Sequence, residues 1–268
     1  RISDEVLPKL LTLSEQTRAK DKFKDMVSGK PVNTTEQRAA LHTATRNYTN
    51  PSKGSAEPEI CSRIDAVNRS IKVFTQKVHS RQITGSTGHA FTDAVIIGIG
   101  GSYLGCEFVY SAVKVACDPV IKLHFLANVD IDNFGEIIKK ISPDTTLWIV
   151  ISKSYTTTET MANLEQARQY IRQHNLKPEN HMLTITAKGS PGDDPDNPVL
   201  HSFHMFDFIG GRYSVTSAVG ALPLSLAFGF EKFEHFLRGC RQMDAHALDA
   251  PAKRNIPLLS ALISIWNS

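Results

Sequence analysis

Three short segments concentrate residue types that could bind an anion and stabilise developing charge. The first is Ser152-Lys153-Ser154-Tyr155-Thr156-Thr157-Thr158, followed by Glu159. Five Ser/Thr hydroxyls and one ammonium within seven residues supply many donors for the oxygens of a phosphate. Thr156 and Glu159 also have capping-box spacing, so the same residues could simply start a helix. Capping uses one or two hydroxyls, however, and Glu159 is read as a cap rather than an acid or base. The second segment, Gly98-Ile99-Gly100-Gly101-Ser102-Tyr103-Leu104-Gly105, lets backbone approach a ligand and aims helix N–H groups at it. The third, Phe206-Asp207-Phe208-Ile209-Gly210-Gly211-Arg212-Tyr213-Ser214, could bring a guanidinium into the same cleft. Arginine stays charged, so it can stabilise an oxyanion but cannot remove a proton. On spacing alone Arg212 could equally pair with a surface carboxylate.

These segments need a frame that brings them together. Ala94–Ile97 is a short β-rich run entering the glycine turn, with a helix over Leu104–Val115 after it. Ile121–Leu126, Thr145–Ile151 and His181–Thr186 read as further strands, with helices around Phe134–Ile141 and Thr157–Arg172 between them. Strands alternating with helices imply a parallel sheet covered on both faces. In such a sheet ligands collect where strands end and helices begin, which is where the glycine turn and the hydroxyl turn fall. Upstream, Leu7, Leu10 and Leu11 fit one face of a short helix. Asn33 with Glu36 gives an N-cap pattern before a helix over Arg38–Arg46, and Ile64, Val67, Ile71 and Phe74 mark a helix over Ile64–Val78. Residues 50–58 read as a loop, Lys188–Pro198 as a polar surface loop, and everything after Gly210 as helix. Ile256–Trp266 reads as a buried helix with Pro257 in its first turn.

The glycine turn also admits a dinucleotide site, with Asp130 after the second strand holding a ribose hydroxyl. Against this, G-x-G-x-x-G spacing from Gly98 puts Tyr103 at the third glycine, and a nucleotide fold has no use for the hydroxyl turn. Composition narrows the classes further. The 268 residues are 41% hydrophobic and 21% charged, ordinary for a globular chain long enough for one large domain or two modest ones. A net charge of +3 with scattered Lys and Arg argues against nucleic acid as a partner. Cys61, Cys106, Cys117 and Cys240 lack metal spacing and read as reduced, intracellular thiols. His201 and His204 stand without a carboxylate or cysteine at ligand spacing, so no metal is expected. No secretory signal is visible, and the longest apolar stretch is well short of the roughly 20 residues of a membrane span. The chain starts at Arg1 without Met and stops at Ser268 as a helix runs on, so both ends are expected to be cut.

Taken in order, these segments resemble the glucose-6-phosphate isomerase family. Gly98 to Gly105 is similar to its first sugar-binding loop. Ser152 to Thr160 is similar to its phosphate loop S-K-T-F-T-T-x-E-T, with Ser154 keeping the hydroxyl of the usual Thr. Gly210-Gly211-Arg212-Tyr213-Ser214 resembles the core of its arginine signature. Thr35-Glu36-Gln37-Arg38-Ala39-Ala40-Leu41-His42-Thr43-Ala44-Thr45-Arg46-Asn47 resembles its T-E-x-R-A-x-L-H-x-A-x-R-N stretch.

The resemblance implies an α/β parallel-sheet sugar-isomerase (SIS) domain with helices on both faces, preceded by a helical N-terminal segment. The implied boundaries are 1–85 for the helical segment, 86–245 for the first SIS domain and 246–268 for the start of a helical connection to a missing second SIS domain. It implies cytoplasmic interconversion of D-glucose 6-phosphate and D-fructose 6-phosphate, in glycolysis and gluconeogenesis, through a cis-enediolate and without metal or organic cofactor. Ser152, Lys153, Ser154, Tyr155, Thr156 and Thr157 would hold the phosphate, Gly101 and Ser102 would line the sugar site, and Arg212 would stabilise the enediolate. The family's base Glu and its ring-opening His and Lys come later than Ser268, so the chain alone is expected to be inactive. A homodimer is expected at full length. The alternative is a non-catalytic sugar-phosphate-binding SIS module.

Overall fold

The computed structural model describes residues 3–49 and 56–268. Helices α1 (Val6–Gln16) and α2 (Ala19–Val27) precede a 3-10 turn at Ala44–Arg46 and helix α3 (Pro58–His79). Strands and helices then alternate as β1 (Asp93–Ile97), α4 (Leu104–Val113), β2 (Lys122–Leu126), α5 (Ile131–Ile138), β3 (Thr146–Ile151), α6 (Thr158–Gln173), β4 (Met182–Ala187) and β5 (His201–Met205). A 3-10 segment at Gly211–Thr216 leads to α7 (Ala218–Phe228), α8 (Phe230–Asp249) and α9 (Ile256–Trp266). The chain divides into two compact units, Arg1–Ser62 with His235–Ser268, and Arg63–Glu234.

The second unit carries a five-stranded sheet in the order β2-β1-β3-β4-β5, parallel at every pairing. Its central strands are continuous apolar runs because both faces are covered: every residue of β1 and β3 is buried. On one face Val95, Ile97, Trp148 and Val150 pack against Leu164, Ala167 and Ile171 of α6 and Phe134 and Ile137 of α5. The sequence reading missed β5. It is an edge strand in which only Phe203 is fully buried, packed edge-on against Phe74 of α3 at 5.4 Å. Two histidines and a serine around one aromatic leave almost no apolar run to detect.

In the first unit Leu10 and Leu11 of α1 meet Leu262 of α9. Two expectations fail here. Residues 38–46 form no α-helix: Gln37 takes a left-handed backbone (φ 52) and Asn33 pairs with Arg38 in an isolated antiparallel bridge. Asn33 does accept the Glu36 N–H (3.2 Å), but its side chain closes a turn instead of capping a helix. Helix α9 has the expected span, with Asn255 as its N-cap accepting from Leu258 N–H (3.1 Å). It is not buried, however: among its residues only Leu262 is, while Ile265 is 59% and Trp266 49% exposed. A sequence uniformly apolar around a helix does not reveal which stripe finds a partner. Of the expected loop at 50–58, residues 50–55 lie outside the described residues.

Two buried histidines are held neutral. The Ser86 N–H donates to His181 Nε2 (3.0 Å), so Nδ1 carries the proton and donates to the Thr146 carbonyl (3.0 Å). Burial lowers the His181 pKa, against the opposing pull of the Thr146 carbonyl and Asp144. Burial and then the Arg46 guanidinium take His42 down to about 4. With folded values below the ordinary value of about 6.5, the unfolded chain binds more protons in acid. This stability is complete above about pH 6.5 and is lost as pH falls toward 4. Thermal melts at about pH 7 and about pH 4.5 should show a clear drop in Tm, flattened in His42→Gln. A variant with the same pH slope as the parent protein would refute this.

Candidate functional site

In this strand order the winding reverses between β1 and β3, the position where open parallel sheets bind ligands at their carboxyl ends. The glycine turn leaves β1 there and the hydroxyl turn leaves β3. Between them lies a cavity of about 540 Å³. Ser152, Lys153, Ser154 and Thr157 of the hydroxyl turn line it, joined by Ser102 of the glycine turn and Asp207 of the loop after β5, over the apolar Ile99 and Ile151.

The helix starts around the cavity are open. Asp130 caps α5 by accepting the Asp132 N–H (2.9 Å), and Ser217 caps α7. Neither α4, which begins after Tyr103, nor α6, which begins after Thr157, has a side-chain cap. The capping-box alternative for Thr156 and Glu159 therefore fails. Thr157 is the N-cap residue, and the Thr156 hydroxyl donates to Ser154 Oγ (2.8 Å). Uncapped N–H groups at a helix N-terminus attract an anion. Asp130, the residue proposed for a ribose, is accounted for as a cap.

The hydroxyl turn is tied down from beneath. Ser152 Oγ accepts the Tyr155 N–H (3.1 Å). The Lys153 carbonyl accepts the Ala187 N–H (3.1 Å) and the Thr186 hydroxyl (3.3 Å). Tyr155 adopts a left-handed backbone (φ 55), and its side chain turns inward to join the core with Leu164 and Trp148. Its ring lies against Gly192, where a Cβ would stand 2.4 Å from it. Burial raises the Tyr155 pKa, partly offset by Arg168 and Asn197, which also bond to each other.

The glycine turn meets the arginine segment backbone to backbone. A Cβ on Gly101 would lie 2.2 Å from the Gly211 carbonyl carbon, and the Ser214 hydroxyl donates to the Gly101 carbonyl (2.9 Å). Arg212 follows directly. Its side chain has no hydrogen-bond or ion-pair partner among the described residues.

Ser102, Ser152, Lys153, Ser154 and Thr157 thus share one cavity, whereas Gly101, Tyr155, Thr156 and Arg212 do not line it. Gly101 and Thr156 are chain neighbours of lining residues, Tyr155 contributes its backbone N–H to the turn, and Arg212 borders the glycine turn through Gly211. Asp207 and Thr160 were missed as lining residues. Asp207 could have been found had β5 been recognised, because the loop after it then falls at the carboxyl end of a strand. Among the described residues no cluster of three His, Cys, Asp or Glu could hold a metal, and no helix is long and apolar enough to cross a membrane.

The reversal of winding at β1 and β3, with these loops above it, makes the protein a doubly wound parallel α/β fold with a ligand site at its switch point. Comparison with known proteins narrows the class. Residues 1–268 match the family described as Phosphoglucose isomerase, and the chain belongs to that family. It is 50% identical over its whole length to half of the glucose-6-phosphate isomerase of Desulfosudis oleivorans. Identity to the Shewanella baltica glucose-6-phosphate isomerase is 38%, over 99% of this chain and 49% of that protein. A crystal structure of the Chlamydia trachomatis glucose-6-phosphate isomerase superposes with a TM-score of 0.88 at 34% identity, covering 100% of this chain and 51% of that one. The chain spans about half the length of the curated relatives it matches.

Proposed function

We propose that this chain provides the phosphate- and sugar-binding half of an enzyme that interconverts D-glucose 6-phosphate and D-fructose 6-phosphate through a cis-enediolate, without metal or organic cofactor. The observation that carries the reading is the hydroxyl turn lining a cavity in front of the uncapped α6 N-terminus. In it, Ser152, Lys153, Ser154, Thr156 and Thr157 take the phosphate with the backbone of Tyr155, Gly101 and Ser102 border the sugar, and Arg212 meets the enediolate oxygen.

The lining residues include no glutamate and no histidine, and the carboxylate present, Asp207, is paired with Lys153. A proton moved between adjacent carbons needs a base of near-neutral pKa and ring opening needs an acid. We assign both to residues outside this chain on the family resemblance alone, and place 86–245 as the first of two SIS domains. The whole protein would be a cytoplasmic homodimer; four free cysteines fit a reducing compartment. Sedimentation of the full-length protein tests the dimer.

Calorimetric titration tests the site. D-glucose 6-phosphate should bind and D-glucose should not. Thr157→Val, which removes an exposed hydroxyl that caps nothing, should weaken binding about tenfold, as loss of one bond to a charged group implies. Equal affinity for the sugar and its phosphate would end this reading.

A further inference from the structure

The ammonium in the cavity is already engaged. Lys153 Nζ stands 2.8 Å from Asp207 Oδ1, with both residues lining the cavity. Lys153 belongs to the turn after β3, whereas Asp207 lies beyond β5, five residues before Arg212. A carboxylate therefore occupies the charge that a phosphate would seek, among donors that are otherwise hydroxyls and N–H groups. The Asp207 side chain is 83% exposed, so water surrounds the pair and it is weak enough to exchange.

We propose that Asp207 is a built-in counter-ion for Lys153, holding the ammonium while the cavity is empty and giving it up to the ligand's phosphate. The inference rests on the phosphate reading of the cavity given above and adds to it a resting partner for the ammonium. An incoming monoanion offers Lys153 no more charge than Asp207 already does. A phosphate monoester carries about −1.5 to −2 at neutral pH and three acceptor oxygens, so it can take the ammonium and the turn's hydroxyls together. Asp207 thus acts as a positioning residue: it holds the ammonium at the cavity and modestly lowers the affinity of any anion that must displace it. Were the pair only a tether between two loops, breaking it would change stability and leave anion affinity alone.

Titrations of the protein with inorganic phosphate and with acetate separate these roles. Asp207→Asn should tighten phosphate binding about threefold, the scale of one exposed ion pair, and acetate binding by no more than that. Lys153→Gln should weaken phosphate binding, and in that background Asp207→Asn should gain less than about twofold, because only the removal of a nearby negative charge remains. Thermal melts check that each variant folds. Phosphate affinity unchanged or reduced in Asp207→Asn, or the same gain with and without Lys153, overturns the proposal. A protein that binds no phosphate in any variant removes the cavity reading and this inference together, a different result from one that binds it and is indifferent to Asp207.

Discussion

Alanine at Gly101 should abolish detectable binding of D-glucose 6-phosphate and lower the melting temperature, while leaving the parallel sheet folded. The added Cβ would fall 2.2 Å from the carbonyl carbon of Gly211 and 2.3 Å from its oxygen. Both neighbours are backbone, so no side chain can swing away. Nor can the arginine segment retreat freely: Ser214 is bonded to the Gly101 carbonyl, and the segment runs into α7, buried from Ala218 to Ala227. Overpacking of this kind costs about 1–3 kcal/mol, equivalent to a Tm loss of roughly 2–4 °C per kcal/mol for a unit of this size. The functional loss should exceed the stability loss, since the strain falls where the glycine turn borders the cavity. Circular dichroism melts paired with titration check both halves; a variant with parental Tm and affinity would show that the two backbones do not meet as described.

Arg212→Ala should have the largest effect on turnover and a small one on stability. The side chain is exposed and makes no ion pair among the described residues, so its removal strands no partner. In the full-length enzyme, loss of a fixed cation from the developing oxyanion should reduce kcat about 10²–10³-fold while the affinity for substrate changes little. Arg212→Lys should recover only part of the rate, because an ammonium is a point charge without the planar fork. Stopped-flow turnover with an independent Kd measurement separates chemistry from binding. A non-catalytic sugar-phosphate module, the competing reading, would retain binding in the variant and have no turnover to lose. Full activity in Arg212→Ala would remove the assignment.

The parts most legible in the sequence were those dictated by burial on two faces. Ala94–Ile97, Thr145–Ile151 and His181–Thr186 read as strands, within a residue of β1, β3 and β4, because these runs are covered above and below and carry little ambiguity. The hydroxyl turn was legible too, since five hydroxyls exceed what a helix start needs. Failures came where local chemistry has two outcomes. Asn33 with Glu36 satisfies backbone N–H groups as well in a turn as in a helix, and the left-handed Gln37 decides for the turn. Tyr155 reads as a ligand residue by its place in the turn, and its left-handed backbone sends the ring into the core, leaving only its backbone beside the hydroxyls. No spacing rule reveals that, because the partner that receives the ring, Gly192, lies 37 positions further on. Asp207 escaped for a related reason: its place at the cavity follows from an edge strand with one buried residue.

The anchored Tyr155 has a consequence for the thermodynamics of ligand capture. A surface turn rich in small polar residues would ordinarily sample many shapes, and an arriving ligand would have to suppress them. Here the ring under Gly192 and the two bonds to the Lys153 carbonyl tie the turn to the core and to β4. Ordering entropy would then be charged to the stability of the domain, and a ligand of the proposed kind would meet a turn whose backbone is already shaped, with little heat-capacity change from ordering it.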